Sequence, residues 1–278
     1  MTAAGDPAVA LTVAGSDSGA GAGLQADLKT FAALGVFGTC AVTAVTAQST
    51  AAVLGVSPID PGFVDLQIDA VLGDLPVAAV KTGMLASSAT VAAVARRAAV
   101  GDLPNLVVDP VLVASTGRPL LDDDGPQTYL RRLLPHAAVA TPNLREAALL
   151  TGVDITGVDA MAAAGRRLVD VGCRLVVVKG GHLPGGLSPD VVVDAAGAVT
   201  VLAAERIDSL NDHGTGCTLA AAVAAHLARG SAPLAAVERA KLYVRGAIAG
   251  AAGWRLGAGH GPLDHFGWGV AHTELTGS

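Results

Sequence analysis

The sequence predicts an α/β protein in which a mostly parallel sheet is covered by helices. Two observations lead to this fold class. Short apolar runs alternate with segments of helical periodicity along most of the 278 residues, which is the pattern of repeated strand–helix–strand units. Hydrophobic residues make up 51% of the chain and charged residues only 15%. This composition suits parallel strands, which are buried on both faces and consist of near-continuous apolar runs.

Each element is predicted from a local signal. Apolar runs bounded by turn residues predict strands over residues 8–14, 39–46, 52–57, 77–81, 105–109, 137–141 and 174–179. Apolar residues at helical spacing predict helices over residues 24–35, from Pro61 onward, and over 218–228 and 233–252. Residues 190–195 and 198–204 predict an antiparallel hairpin at the sheet edge. Residues 1–278 are expected to form one domain that ends in an irregular, glycine-rich tail over 257–278.

Charge and cysteine content exclude several classes of protein. The net charge of −6 argues against a nucleic-acid partner, which normally requires a basic face. Three cysteines without C-x-x-C spacing fit neither a disulfide framework nor a metal cluster. No apolar run of about 18 residues predicts a membrane span. No Lys or Arg precedes Lys29, so the positive start of a secretory signal is missing, and we expect a cytoplasmic protein.

The most informative motif is a glycine-containing loop directly before an alanine-rich helix. Residues 211–217 read Asn-Asp-His-Gly-Thr-Gly-Cys and precede the predicted helix 218–228. The free backbone N–H groups of Gly214, Thr215 and Gly216, together with the helix dipole, favour an anion there. The motif therefore predicts a phosphate site.

Polar residues at the ends of the predicted strands indicate one ligand-binding edge. Gly15, Lys81, Asp109, Thr141 and Lys179 all stand at such ends, and ligands of open α/β sheets lie beyond the carboxyl ends of the strands. Lys179 is followed by two glycines and is interpreted as a phosphate contact. The alternative is a solvated surface charge.

Three further features each allow two interpretations. The glycine-rich turn of residues 15–23 either approaches a phosphate closely or is a tight turn that needs small residues. Asp109 and Glu146 lie on separate loops and suit Mg²⁺, but Glu146 is also explained as a first-turn acid favoured by the helix dipole. Gln48 could bind a ring nitrogen and an exocyclic amine, with Met84 as an apolar wall beside them. Alternatively, Gln48 caps a turn and Met84 packs in the core.

The histidines predict no metal site. His213 is interpreted as a base or a loop-ordering residue, and the second role is favoured. His260 and His265 have no matching cluster of acids or cysteines, so packing of the tail is expected for both.

Eight motifs follow one another along nearly the whole chain. They are Ala14-Gly-Ser-Asp-Ser-Gly19 with Gly23-Leu-Gln-Ala-Asp-Leu-Lys-Thr30, Thr43-Ala-Val-Thr-Ala-Gln48, Lys81-Thr-Gly-Met-Leu85, Val108-Asp-Pro-Val111, Thr141-Pro-Asn-Leu-Arg-Glu146, Val178-Lys-Gly-Gly-His182, His213-Gly-Thr-Gly-Cys217 and Gly259-His-Gly-Pro262. In this order they resemble the phosphomethylpyrimidine kinases of thiamine biosynthesis, within the ribokinase-like superfamily. No single motif is specific, but the set of eight is.

The resemblance implies a ribokinase-like αβα three-layer sandwich. It also implies phosphorylation of 4-amino-5-hydroxymethyl-2-methylpyrimidine with ATP and Mg²⁺, followed by phosphorylation of the monophosphate to the diphosphate. Small molecules would be the partners, with no nucleic acid and no membrane. Because relatives commonly dimerise, a homodimer is expected.

The resemblance also assigns roles to residues by their position in the motifs. Gln48 would bind the aminopyrimidine, and the residues around its ring would be Gly15, Asp27, Met84 and Val111. Asp109 and Glu146 would serve Mg²⁺. The ATP contacts would be Asn143, Lys179 and Thr215. The catalytic group would be Cys217, Lys179, Gly214 and Gly216, with the backbone of residues 214–217 as the anion hole.

The chain departs from the family pattern at a few positions. Ala20 stands where glycine is common, Asp212 where threonine is common and Ser49 where asparagine is common. The flap of residues 113–117 lacks a lysine often found there. Asp212 puts an acid next to the predicted phosphate site, where it either faces away or helps to hold a cation.

Cys217 distinguishes this chain from most ribokinase-like enzymes, which have an aspartate there as base. A thiol at a helix N-terminus can have its pKa lowered toward neutrality; alternatively, cysteine is a small buried packing residue. We hypothesise that Cys217 suits an enzyme with two acceptors. An aspartate would repel the phosphate of the second acceptor by roughly 4 kcal/mol at 4 Å and an effective dielectric of 20, and a neutral thiol would not.

Pyridoxal kinase is the nearest alternative function. Relatives that act on pyridoxal are understood to use a second cysteine in the flap, and residues 110–121 contain none. A sugar or nucleoside kinase is expected to carry aspartate in place of Cys217. A ligand-sensing domain without activity would be expected to lack the phosphate residues Lys179, Asp109 and Glu146.

Overall fold

The computed structural model describes residues 5–112, 121–122 and 124–269. Its strands are β1 (Val9–Ser16), β2 (Phe37–Gln48), β3 (Val53–Pro58), β4 (Val77–Thr82), β5 (Val107–Val108), β6 (Val139–Ala140), β7 (Leu175–Lys179), β8 (Asp190–Asp194) and β9 (Val199–Leu202). Its helices are α1 (Gly23–Ala33), α2 (Pro61–Leu72), α3 (Ser88–Val100), α4 (Gly125–Thr128), α5 (Leu144–Thr151), α6 (Val158–Val171), α7 (Thr215–Ala228) and α8 (Pro233–Ala251). Residues 129–136 continue α4 as one π-helical and one 3₁₀ turn.

The nine strands form one sheet in the order β3-β2-β1-β4-β5-β6-β7-β8-β9. The six strands from β2 to β7 in this order are parallel, and β8 and β9 pair antiparallel at one edge. The mostly parallel sheet and its edge hairpin are therefore confirmed. The antiparallel pairing of β3 with β2 at the other edge was not predicted. It follows from the short connection between the two strands, because a parallel return requires a crossover of a dozen or more residues.

Helices cover both faces of the sheet, which gives three layers. One face packs on α2, α3, α5 and α6 through a core that includes Ile68 and Leu168. The other face packs on α1, α7 and α8 through a core that includes Phe31 and Val223. In the described part of the chain, no helix is long and apolar enough to cross a membrane.

Several element boundaries differ from the prediction, among them those of β6 and β9, and two of the differences have identifiable reasons. β5 pairs over only two residues, whereas a strand was predicted over residues 105–109, because Asn105 has a positive φ of 45° that lies outside the β region. Helix α7 begins at Thr215, three residues before the predicted start. Gly214 is its N-cap at φ +86°, so the residues predicted as loop already form the first helical turn.

Ala20 adopts a backbone conformation that suits glycine better. Its φ is +58°, in the left-handed region, within the turn that leads from β1 to α1. We expect Ala20→Gly to stabilise the protein by about 0.5–1 kcal/mol, since relief of about 1–2 kcal/mol of steric strain exceeds the entropy that glycine adds to the unfolded chain. Urea unfolding measures the change. The control is Ala196→Gly in the exposed β8–β9 turn, where φ is not positive and glycine should destabilise; equal effects of the two substitutions would contradict the assignment of strain.

Candidate active site

Lys179 and Asp109 meet at the carboxyl edge of the sheet. Lys179 is the last residue of β7, and Asp109 directly follows β5. The Lys179 Nζ donates to Asp109 Oδ1 at 2.8 Å, and the Thr141 hydroxyl, beyond β6, donates to the same oxygen at 3.1 Å. Three neighbouring parallel strands thus bring together three residues that the sequence placed at strand ends.

The N-terminus of α7 lies directly against this ion pair. A Cβ atom built on Gly216 would lie 3.2 Å from Lys179 Nζ and 3.9 Å from Asp109 Oδ2. At Gly214, a side chain would overlap the carbonyl oxygen of Gly21, so glycine permits the close approach of the two glycine-rich loops. The helix dipole and the lysine therefore act on the same small region, which favours an anion.

Glu146 is buried beside the ion pair and caps its own helix. The Asn143 N–H donates to Glu146 Oε2 at 2.8 Å, and the Glu146 N–H donates to Asn143 Oδ1 at 3.0 Å, which forms a complete capping box for α5. Burial raises the pKa of Glu146 to about 7; Lys179 opposes this increase and Asp109 adds to it. The first-turn role of Glu146 is confirmed, and its role toward Mg²⁺ stays a prediction.

Cys217 is the third residue of α7, where its thiol is protonated at neutral pH. Burial raises the pKa of Cys217 to about 11; Lys81 opposes this effect, and the carboxylates of Asp27 and Asp109 strengthen it. The lowering of the pKa that a helix N-terminus can produce is therefore not found for this thiol. Loss of solvent and the two nearby carboxylates outweigh the lysine and a hydrogen bond from the Gly23 backbone.

Beneath Cys217 lies a buried ion pair that the sequence did not reveal. The Lys81 Nζ donates to both carboxylate oxygens of Asp27, at 2.8 and 3.0 Å, and the Thr12 hydroxyl donates to Asp27 at 2.6 Å. Neither charged side chain has any exposed surface. Burial opposes the charge of Lys81, but the attraction of Asp27 together with that of Cys217 and Asp109 outweighs it and raises the lysine pKa. A lysine inside an otherwise apolar strand was the available signal of a buried acidic partner.

The structure places Asp27 below the site surface, where its carboxylate faces Lys81 and Thr12. Its expected contact with a substrate ring stays a prediction.

Gly15 and Met84, two other residues expected around the ring, are in contact. A Cβ on Gly15 would overlap the Met84 methyl group. Val111 follows the same loop as Asp109 and donates its N–H to the Asp109 carbonyl at 2.9 Å. The flap of residues 113–117 lies outside the described residues.

Gln48, at the end of β2, and His213, in the loop before α7, lie next to each other. Gln48 Nε2 is 3.2 Å from His213 Nε2, which is also 3.1 Å from Asp17 Oδ2. Asp17 accepts three backbone N–H bonds within its own glycine-rich turn, from Gly19, Gly21 and Ala22. Asp17 was not selected from the sequence, because an Asp in such a turn usually only caps the turn.

The residues of the tail contact the loop before α7. His260 Nδ1 lies 2.7 Å from Asp212 Oδ1, and both side chains are exposed. The His213 N–H donates to the Gly261 carbonyl at 3.1 Å. His265 is buried against the Thr218 hydroxyl at 3.0 Å, and burial lowers its pKa to about 4. The carboxylate of Asp212 is therefore paired with a tail histidine at the surface. The expected packing role is confirmed for the buried His265 and is wrong for the exposed His260.

Comparison with known proteins identifies the family. The family model described as phosphomethylpyrimidine kinase matches residues 17–264. The chain belongs to the phosphomethylpyrimidine kinase family. The match includes Lys179, Asp109, Glu146 and the residues of the α7 N-terminus, so the resemblance predicted from the motifs is confirmed.

Individual relatives of this phosphomethylpyrimidine kinase family member agree. A hydroxymethylpyrimidine/phosphomethylpyrimidine kinase from Rhizobium meliloti (strain 1021) is 49% identical over 263 residues, which cover 93% of this chain and 97% of the relative. The crystal structure of a phosphomethylpyrimidine kinase from Clostridium difficile 630 matches with a TM-score of 0.77 and 37% identity, over 86% of this chain and 99% of the other. An ADP complex of Bacillus subtilis pyridoxal kinase matches with a TM-score of 0.86 and 36% identity, over 94% and 98%.

The fold class and the kinase activity are thus confirmed for this phosphomethylpyrimidine kinase family member. Its individual site residues are brought together as described, and their roles toward each ligand remain predictions. Pyridoxal kinase is a structural relative and is not the better supported function.

Proposed function

We propose that the protein phosphorylates 4-amino-5-hydroxymethyl-2-methylpyrimidine with ATP and then phosphorylates the resulting monophosphate to the diphosphate, in thiamine biosynthesis. The observation that carries this proposal is the meeting of Lys179, Asp109 and the α7 N-terminus at one point, with the thiol of Cys217 beside them. Phosphoryl transfer has a loose transition state, so catalysis depends mainly on position and on stabilised negative charge. This site offers both.

The anion hole and Lys179 would both stabilise negative charge on the transferred phosphate. The N–H groups of Gly214, Gly216 and Cys217 at the start of α7 would donate to the phosphate oxygens as negative charge develops there. The Thr215 N–H, which was expected from the sequence to be free, donates to the Asp212 carbonyl at 3.2 Å. Lys179 adds a positive charge on the same side, held 2.8 Å from Asp109. Asn143 lies beside Lys179 through a parallel bridge, which supports its role, with Thr215, in binding ATP.

Asp109 and Glu146 fit a Mg²⁺ ion. Magnesium in kinases uses one or two protein carboxylates and completes its shell with phosphate oxygens and water. Both carboxylates are buried and electrostatically coupled to Lys179, so they could hold the ion near the phosphates. The ion would neutralise charge on the phosphate oxygens, and the protein would hold the two carboxylates in place.

The pKa of Glu146 predicts how Mg²⁺ use depends on pH. Because burial raises this pKa to about 7, the proton competes with the metal below that pH and is lost above it. We expect the apparent Mg²⁺ affinity to increase as the pH rises from about 6 to 8. Initial rates at varied Mg²⁺ measure it, with Glu146→Gln as control because it has no proton to lose there. Parallel pH curves for the two proteins would refute the prediction.

The protonated thiol of Cys217 supports the two-acceptor hypothesis. A neutral group beside the acceptor does not repel a phosphorylated second substrate, whereas a carboxylate would. We expect Cys217→Asp to slow the second step at least about tenfold more than the first, and Cys217→Ser, which stays neutral, to keep the ratio of the two steps. The kcat/KM for each acceptor measures both effects. Equal loss on both steps in Cys217→Asp would eliminate the hypothesis.

One assay tests the proposed function. ATP consumption is measured with the hydroxymethylpyrimidine, its monophosphate and pyridoxal under the same conditions. We expect turnover of both pyrimidines with kcat/KM above that for pyridoxal. No turnover of either pyrimidine would overturn the proposal, and turnover of pyridoxal alone would favour pyridoxal kinase.

We also propose a homodimer. Strand β3 is at the edge of the sheet, and the exposed side chains of Val45, Leu54, Phe63 and Leu66 lie on β2, β3 and α2. Exposed apolar groups of this kind mark interfaces. Light scattering should give a dimer for the wild type and a monomer for Leu54→Glu; a wild-type monomer would refute the proposal.

The proposed location is the cytoplasm. All three cysteines are free thiols, as is usual for proteins kept in a reducing compartment. Recovery of the native protein in a membrane or secreted fraction would contradict this location.

A further inference from the structure

The ring of His213 connects the anion loop, which consists of residues 211–217 before and at the start of α7, to Gln48, the residue expected to bind the pyrimidine. A single atom, His213 Nε2, is 3.1 Å from Asp17 Oδ2 and 3.2 Å from Gln48 Nε2. A ring nitrogen carries either one hydrogen or one lone pair at this position. If this nitrogen carries the hydrogen, both Asp17 Oδ2 and the adjacent Gln48 amide atom must be acceptors. If it carries the lone pair, both must be donors.

Asp17 decides that choice. Its carboxylate accepts N–H bonds from Gly19, Gly21 and Ala22. Burial alone would raise the pKa of Asp17, but the hydrogen bonds from His213 and the backbone lower it. The carboxylate is thus ionised at neutral pH and can only accept, so His213 Nε2 carries the hydrogen.

The amide of Gln48 must then turn its oxygen toward His213. With the amide nitrogen at that place, two N–H donors would face each other at 3.2 Å. Exchange of the amide oxygen and nitrogen leaves the shape of the side chain unchanged, so hydrogen-bond partners decide between the two arrangements.

A second neighbour makes the same demand. The Thr46 hydroxyl donates to the Ser16 carbonyl at 2.9 Å and lies 3.4 Å from the other end of the Gln48 amide. With its hydrogen used by Ser16, Thr46 Oγ1 can only accept from Gln48. It therefore requires the amide NH₂ at that end and the oxygen at the His213 end.

We propose that His213 is a positioning residue for substrate recognition, which holds the Gln48 amide with its oxygen toward the anion loop and its NH₂ toward Thr46. This inference rests on the proposed function. The amide then has one free N–H and one free lone pair, in a fixed order. An aminopyrimidine offers the complementary pair, a ring nitrogen and an exocyclic amine. In the opposite order, the same ring would have to bind turned over.

His213 also lies next to the proposed phosphate site, so it links that site to the residue expected to bind the pyrimidine. Its ring packs against Gly21, where a Cβ would lie 2.5 Å from His213 Cδ2. Its backbone directly precedes Gly214, the N-cap of α7. The histidine thus fixes the distance between the residue that reads the ring and the backbone that receives the phosphate.

The first test needs neither substrate nor substitution. In ¹⁵N-labelled wild-type protein, the long-range couplings of the His213 ring should show a hydrogen on Nε2. The Gln48 NH₂ protons should show stronger nuclear Overhauser effects to the Thr46 side chain than to the His213 ring. A ring protonated on Nδ1 alone, or a Gln48 NH₂ next to His213, would overturn the proposal whether or not the pyrimidine is the substrate.

The second test is a double-mutant cycle in the folded enzyme. We expect His213→Leu to raise the KM for the hydroxymethylpyrimidine about tenfold with the KM for ATP within about twofold, and His213→Gln, which keeps an N–H donor, to restore most of it. In a Gln48→Ala background, His213→Leu should add less than about twofold. An equal rise in both backgrounds would show that His213 orders the loop in general and does not position Gln48.

Discussion

Substitution of Lys179 by methionine is expected to lower kcat of both phosphorylation steps about 100- to 1000-fold. This is the usual cost of removing one group that stabilises transition-state charge. The lysine ammonium lies 2.8 Å from Asp109 and close to Gly216 at the start of α7, so its charge lies beside the proposed position of the phosphate. Methionine keeps most of the apolar stem and removes the charge.

The chain contains a matched control for this substitution. Lys241 forms a similarly buried pair with Asp190 at 2.6 Å, outside the cluster of Lys179, Asp109 and Gly216. Lys241→Met makes the same chemical change, and we expect it to alter kcat by less than about threefold. Steady-state kinetics with each acceptor measure both variants. A loss below about tenfold in Lys179→Met would show that the lysine does not act on the transferred phosphate.

The largest effect on stability is expected from Lys81→Met. Removal of one partner from a buried ion pair leaves an uncompensated charge and typically costs about 3–5 kcal/mol. Here the partner is Asp27, which is fully buried and, among the described residues, keeps the Thr12 hydroxyl as its remaining side-chain donor. Urea unfolding measures the loss of free energy.

The pH dependence of that loss has a definite sign. Burial raises the pKa of Asp27 in the folded protein, and removal of the lysine takes away the main opposing charge. A raised pKa of an acid adds stability below its unfolded pKa, and this stability disappears as the pH rises through the folded pKa. Lys81→Met should therefore lose more stability at pH 8 than at pH 5.

Two comparisons isolate the cause. Adding Asp27→Asn to Lys81→Met should recover at least half of the loss, because asparagine still accepts from Thr12 and carries no charge. Arg96→Met, at the exposed pair with Asp65, should cost less than about 1 kcal/mol. A loss below about 1 kcal/mol in Lys81→Met would mean that Asp27 is neutral in the folded protein.

The sequence predicted the active-site edge well because that edge is a consequence of topology. An apolar run that ends in Lys179 or Asp109 predicts a strand with a polar end, and the ends of parallel strands converge wherever the sheet forms. The glycines at 214 and 216 predicted a helix start for the same local reason. None of these inferences requires knowledge of which helix packs where.

Contacts between charged side chains that depend on how distant segments pack could not be predicted from the sequence. Lys81 and Asp27 are 54 positions apart, and His213 and Asp17 are 196 apart; only the docking of α1 and of the loop before α7 brings them together. The raised pKa of the Cys217 thiol could not be predicted for the same reason. The helix N-terminus is a local feature, but the burial and the two carboxylates that oppose its effect come from distant segments.

The raised pKa of Cys217 has a consequence for the chemical durability of the enzyme. Electrophiles and peroxide react with thiolates, and at neutral pH a thiol of pKa about 11 is almost entirely in the unreactive form. The cysteine at the centre of this kinase should thus resist alkylation and oxidation. A covalent inhibitor aimed at it would need tight reversible binding first, because the sulfur itself offers little reactivity.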